Sequence, residues 1–530
     1  MRWWPWALPC VVLLLSSACN STPSTPTPTP TPSSVTPTLR YSVIAPADPP
    51  HLDVQQDVSE VLASMGPGLA YSRLLRLNTG PDVEQPSLAL ECELCTRWEA
   101  TDATTYVFYL RTDVRWQNLP PVNGRKLIAG DLVYSYERQR TPGWPNAALL
   151  QAVDRLEAPD DTTLLLKLKY ADADFLLALA DGHSKIVARE AVEVKGDLRS
   201  GPVVGSGPWV WTETRTGVGT TLVRNPGYFE AELPRADGIT FTVVRDEEAQ
   251  LAAFATGVAD VYRVPPDRWP QLQSVAPQAQ SLLSRQGGAG LLLALNAGVP
   301  PFDRVEARRA VFQAIDPWSY LDSFWNGQGS VGLGLPVARP DWLLPDSELA
   351  TYFNHPDRAR ELLANSAPLP VELTVADFGS QYLRLGERLQ NDLRAAGFQT
   401  DLVQANPREY ASRVWAQRDF QLLLGVLPPA STPNGFLFSL LHSQGRWNIS
   451  GHADSELDAL IEKQSVEMDA SARGANVREI ERRALDQGYL FSPITEAARW
   501  AYWPSRVSEL YPNSALSEYF FWARVSAARR

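Results

Sequence analysis

The chain has 530 residues, 44% of them hydrophobic and 20% charged, with a formal net charge of −12. That balance suits a folded protein of two or three domains and excludes a wholly disordered chain. It also excludes nucleic acid as a partner, because gripping a phosphate backbone takes clustered Lys and Arg, and five His with four Cys leave few metal ligands or nucleophiles.

The N-terminus decides the compartment. Met1-Arg2 gives a minimal positive start, and Ala7 to Leu15 is mostly apolar but too short to span a bilayer. Leu14-Leu15-Ser16-Ser17-Ala18-Cys19 then resembles a lipobox, with Ser16 where Leu is usual. Residues 1–18 are therefore expected to be a signal peptide, and Cys19 to carry lipid after export. From Asn20 to Thr38 the chain reads NSTPSTPTPTPTPSSVTPT, which can neither form a helix nor bury a core. As extended polyproline II its 19 residues reach roughly 60 Å, at about 3.1 Å each. Residues 19–38 are thus expected to be a lipidated stalk holding the body clear of a membrane surface.

With Cys10 in the signal and Cys19 lipidated, Cys92 and Cys95 are the cysteines of the body. In an oxidising compartment this CxxC pair is expected to form a disulfide, with free thiols or a redox or metal role as alternatives. Glu-Cys-Glu-Leu-Cys-Thr lacks the following His of a haem attachment site, and one pair cannot complete a tetrahedral zinc site.

The body mixes strands and helices. Tyr106, Phe108 and Leu110 alternate, as do Leu164, Leu166 and Leu168, the period of half-buried strands. Phe241 to Val244 and Leu291 to Leu295 predict strands buried on both faces. Val305, Val311, Phe312 and Ile315 predict one helix, Leu457, Leu460, Ile461 and Met468 another, and Ile480, Ala484 and Leu485 a third. The fold class is α/β or mixed α+β.

Four blocks carry a resemblance to a known family. The first runs from Trp98-Glu99 through Tyr106 to Arg111 and Val114-Arg115-Trp116 to Ala129-Gly130-Asp131-Leu132-Val133-Tyr134-Ser135-Tyr136. The second is Gly205-Ser206-Gly207-Pro208-Trp209 followed by Leu222 to Phe229. The third is Leu295-Asn296 with Pro300 to Asp303, Val305, Arg308 and Ala314-Ile315-Asp316. The fourth is Asn448-Ile449-Ser450-Gly451 with Leu457 to Leu460. In this order the chain resembles the large solute-binding proteins of the oligopeptide, dipeptide and nickel importers (solute-binding protein family 5), over roughly residues 40 to 525. Most of the matching residues read as scaffold: Arg224-Asn225-Pro226 is a turn, and Asp131 suits the positive end of a helix dipole. Ile128 departs from the family's usual capping Thr.

The resemblance implies a type II periplasmic-binding-protein-like architecture, cluster C-like, with two lobes around a cleft and an extra domain. Lobe one is expected at 39–75, 206–290 and 495–530, the extra domain at 76–205, and lobe two at 291–494. It implies an extracytoplasmic protein that closes its lobes on a small-molecule or peptide ligand and delivers it to an ABC permease. A monomer without cofactor is expected. Peptide-binding members commonly offer an Asp to the ligand's α-amino group, but the matching stretch here, Gly425 to Leu437, holds no carboxylate, and Pro429 stands about where the Asp would. A buried ammonium without a partner is costly. Either unmodified peptides bind weakly and a neutral or anionic solute is taken, with backbone groups of Gly425, Val426 and Leu427 in contact, or charge recognition passes to Glu496. Tyr262 and Arg263 occupy a position where the family often contributes cleft side chains.

His51, His183, His355, His442 and His452 show no metal-ligand spacing, so no metal site is expected. Nor is an enzyme: no GxSxG, HExxH, P-loop or Rossmann fingerprint is present. The rival readings are an exported hydrolase such as a glycosidase, which needs two carboxylates at a set separation, and a sensor or chaperone built on the binding fold.

Overall fold

A computed structural model describes residues 39–364, 369–428 and 430–528. The expected signal peptide 1–18, Cys19, the expected linker to residue 38 and Pro429 lie outside the described residues.

Two long strands organise the body, Gln280–Leu295 and Leu490–Tyr502, which run antiparallel to each other. Beyond the first, the sheet continues through Leu422–Val426, Leu369–Ala376 and Phe398–Ala405. Beyond the second it continues through Val261–Val264, Arg40–Ala45, Gly238–Val243, Gly219–Arg224 and Trp209–Arg215, while Gly329–Gly332 pairs on the second strand itself. One sheet thus passes from one lobe to the other.

Each lobe closes its own core. Leu291 to Leu295, fully buried as their unbroken apolar run predicts, pack with Val311, Phe312, Ile480 and Phe491. Tyr41, Val43, Trp209, Phe241, Trp500 and Trp522 form the other core. A third core lies on a four-stranded antiparallel sheet of Cys95–Asp102, Thr105–Leu110, Thr163–Leu168 and Val153–Asp160. There Tyr106, Phe108 and Leu110 point inward at every second position. Two of the predicted helices end earlier than their patterns: Ile315 is the extended cap of Val305–Ala314, and Met468 lies exposed beyond Ser455–Ser465.

Local chemistry explains the scaffold blocks. With no side chain at Ile128 able to cap, the helix Ala129–Gln139 is capped from within: the Ile128 N–H donates to Oδ2 of Asp131 at 3.1 Å. Asp131 also holds Arg125 at 2.7 Å. Asn225 ties two blocks together, its side-chain amide donating to the Gly207 carbonyl at 2.8 Å while its Oδ1 accepts from Gly227.

Between the two arms of the first long strand, pairing with the second slips twice, between Arg285 and Gly290 and again between Gly290 and Leu293. The bridging residues are Gln286-Gly287-Gly288-Ala289-Gly290. Gly288 has φ +84, its N–H reaches the Gly334 carbonyl at 2.7 Å, and a Cβ there would sit 1.7 Å from the carbonyl oxygen of Ala430. Gly290, at φ +135, leaves no more room, with the Ile494 carbonyl 2.2 Å from a Cβ. Only glycine lets the backbones of the two lobes meet this closely.

Two predictions follow from these contacts. Gly288→Ala should cost clearly more stability in denaturant unfolding than Gly217→Ala, whose φ of +74 carries the same strain with nothing within 4 Å, a baseline of about 1 kcal/mol; equal losses would show that the close approach is not needed. Cys92 and Cys95 are bonded, with Cα atoms 5.1 Å apart, in the turn entering the four-stranded sheet. Because the loop they close is short, replacing both by Ser should lower unfolding free energy by about 2 kcal/mol relative to the oxidised parent, and reducing the parent should cost as much.

Candidate functional site

The glycine-rich bridge forms the floor of two cavities. The larger, about 630 Å³, is walled by Glu60, Asn146, Asp181, His183, the bridge and the Ser514–Ser517 segment. The smaller, about 400 Å³, is walled by Glu60, Arg245, Tyr262, Arg263, Gln328 and Glu496. Glu60, Arg263, Gln286 and Ala289 belong to both, so the two are parts of one cleft.

Strand parity decides what Tyr262 and Arg263 offer. They are successive residues of Val261–Val264, opposite Ala501 and Trp500, and so face opposite sides of the sheet. Tyr262 is buried with its ring centroid 6.0 Å from that of Phe254, and burial pushes its hydroxyl up to about 12. Arg263 is exposed and holds Glu60 at 3.2 Å. An exposed pair of this kind contributes little, so a ligand can displace either partner at small cost.

Glu496 differs. It lies on the second long strand, opposite Gly329. Cross-strand partners share a face, and since Gly329 has no side chain, nothing covers the carboxylate from that neighbour. Glu496 is half-buried, and no Lys, Arg or His among the described residues forms a salt bridge with it. Burial holds its carboxyl above the usual carboxylate range; the Trp325 indole and the Arg263 charge act in the opposite direction and do not cancel this.

Gly425, Val426 and Leu427 sit apart from both cavities, in strand pairing. Gly425 is paired with Leu292, and a Cβ on it would meet the Tyr410 hydroxyl at 2.4 Å. The Val426 N–H donates to that hydroxyl at 2.9 Å, which in turn donates to the Val426 carbonyl at 3.1 Å. The Leu427 N–H donates to the Gly290 carbonyl at 2.8 Å. The next residues along, Ala430 and Ser431, are the ones that reach the larger cavity. Sequence reasoning missed Glu60, His183, Gln286 and Ser514 in the walls. The three glycines in Gln286-Gly287-Gly288-Ala289-Gly290 were the available signal, since such a run inside a strand marks a bulge or a close backbone approach.

Comparison with known proteins bears on the family and the fold. The family model described as "Bacterial extracellular solute-binding proteins, family 5 Middle" matches residues 85–448. Heme-binding protein A of Haemophilus influenzae is 26% identical over 428 residues, covering 74% of this chain and 75% of that protein. Di/tripeptide-binding protein 2 of Pseudomonas aeruginosa is 25% identical over 449 residues, covering 78% and 81%. Among solved structures, HbpA2 of Haemophilus parasuis superposes with a TM-score of 0.77 at 21% identity, over 93% of this chain and all of that one. With the match extending over more than half its length, this chain belongs to the family 5 bacterial extracellular solute-binding proteins.

Proposed function

We propose that the protein captures a small peptide-like solute outside the cytoplasm, closes its lobes on it and hands it to an ABC-type permease. The observation that carries the ligand class is Glu496, a half-buried carboxylate on the cleft wall that forms no salt bridge among the described residues. A ligand ammonium supplies the missing charge. The carboxylate that the Gly425–Leu437 stretch lacks is thus offered from the second long strand, with Glu60 beside it. Arg263, released from Glu60, takes the ligand's own carboxylate. A relative named for di/tripeptides supports this reading. Closure bends the glycine bridge, which joins two stiff arms of the same strand. No covalent bond forms or breaks.

The division of the chain into lobe one at 39–75, 206–290 and 495–530, extra domain at 76–205 and lobe two at 291–494 is part of this proposal. The lobe-two core, running from Leu291 to Ile494, supports it. So is the anchor: export, lipid on Cys19 and a Thr/Pro stalk would keep the cleft near a permease. Cys19→Ser should move the protein from the membrane fraction to the soluble one without changing its unfolding transition; a variant that stays with membranes defeats the anchor.

Binding of free-amine tri-alanine, measured by calorimetry, should weaken at least 10-fold in Glu496→Gln, about 1.4 kcal/mol. N-acetylated tri-alanine should bind weakly to both forms. Because the carboxyl of Glu496 is held above its ordinary range, acidification protonates it before exposed carboxylates. An ammonium must then drive that proton off, so affinity should fall as pH drops and binding should release protons. Glu496→Gln should flatten this dependence. Equal binding of the free and acetylated peptides by the parent protein rejects the ammonium reading.

A further inference from the structure

Ser431 lines the larger cavity, and three residues further on Asn434 meets the segment Asp172-Ala173-Asp174. On the proposed division of the chain, this contact joins the extra domain to lobe two. Asp174 is the cap residue of the helix Phe175–Ala180, yet its side chain makes no capping bond there. Aspartate is favoured at that position because its carboxylate ordinarily accepts from N–H groups of the first turn. Here it serves another helix. Its Oδ2 accepts the backbone N–H of Asn434 at 2.6 Å, in the first turn of Pro433–Phe436. Its Oδ1 lies 2.6 Å from Nη2 of Arg473.

The surroundings complete the contact. The Asn434 side-chain amide donates to Asp172 at 2.8 Å, and its oxygen accepts from Arg473 at 3.1 Å. Arg473 also donates to the Ala173 carbonyl at 3.2 Å, while the Ala173 N–H donates to the Ser465 carbonyl at 2.9 Å. Asp174 and Arg473 are each 5% exposed. Burying two charges costs desolvation that their attraction only roughly offsets, so the pair fixes a geometry without making it permanent. Once separated, both charges return to water. That balance suits two surfaces that meet and part.

We propose that Asp174, Asn434 and Arg473 form a latch that engages when the lobes close and sets the fraction of time they stay closed. They do so without touching the solute, and thereby set its apparent affinity from outside the binding walls. The inference rests on the reading of the lobes as bodies that move, and is independent of the ligand class assigned through Glu496.

The test cross-links the contact. Because the Ala173 and Ser465 backbones are hydrogen-bonded, Ala173→Cys with Ser465→Cys brings two thiols within disulfide reach only while the contact is made. The rate of cross-linking under a fixed oxidant then reports the closed fraction of the full chain, with no ligand added. Introducing Arg473→Gln should slow it about 10-fold, as the closed fraction falls by that factor. Small-angle scattering should then show the reduced form of this variant more extended than its oxidised form. Asp174→Asn should behave alike, and carries the same readings if Arg473→Gln loses the parent's unfolding transition. Tri-alanine should speed cross-linking in the parent background, and Arg473→Gln without the cysteines should bind it about 10-fold more weakly. The latch is rejected if the cysteine pair never cross-links, if Arg473→Gln cross-links as fast as the parent, or if its oxidised and reduced forms scatter alike. If tri-alanine changes nothing while the other readings hold, the Glu496 reading fails and the latch stands.

Discussion

Everything in this molecule hangs on the pairing of Gln280–Leu295 with Leu490–Tyr502. A β-strand must satisfy its backbone donors and acceptors along its whole length, and these two satisfy each other while also serving as inner strands of both lobes. The arms are stiff because they are locked into cores, Leu291 to Leu295 on one side and Trp500 on the other. The ladder can give way only where it is already broken, at the glycine bridge. Binding walls and mechanical weak point therefore coincide, since the residues that interrupt the ladder also floor the cleft. A ligand seated there touches the segment that has to bend.

The C-terminal wall of the cleft is held by charge as well as by packing. Arg73, fully buried, pairs with Glu518 at 2.8 Å, approaches Glu93 at 3.4 Å and donates to the Ala180 carbonyl at 2.8 Å. Glu518 also accepts the backbone N–H groups of Leu77 and Phe520. Burial alone would push the Glu518 carboxyl up, yet Arg73 and these donors hold it below its ordinary value. Removing one member would strand a buried charge, a cost of several kcal/mol. The network ties the residues just after Ser514–Ser517 to the turn that carries Asp181 and His183, so two parts of the cavity wall share one support.

Much of the scaffold was legible in the residues. Period-2 alternation at Tyr106, Phe108 and Leu110 and the apolar run from Leu291 to Leu295 state which atoms must leave water, and that requirement is local. The cleft was less legible because it is built from long-range pairing. Alternation shows that Tyr262 and Arg263 point to opposite faces, but which face meets the cleft depends on the neighbouring strands. Glu496 matters because Gly329 lies opposite, a register that no local pattern encodes. Gly425 to Leu427 sit near the right place in the chain, yet Tyr410 and Gly290 occupy the backbone groups that a ligand would need. The family blocks proved to be strands, helices, turns and caps of the scaffold, which is why matching them revealed the fold more readily than the site.

The lobe-one core joins the two ends of the described chain. The Tyr41 hydroxyl donates to the Trp522 carbonyl at 2.7 Å, the Trp522 indole donates to the Ser64 carbonyl at 3.0 Å, and the Phe241 ring lies edge-on to that indole. A ribosome makes residue 41 long before residue 522, so this core has no partner to close on until nearly the whole chain exists. The core that runs from Leu291 to Ile494 draws on neither end of the described chain. Contacts of so great a sequence separation form slowly, because the intervening loop must be closed first. The lobe-one core is thus a late-folding element by construction, its two ends completing each other last.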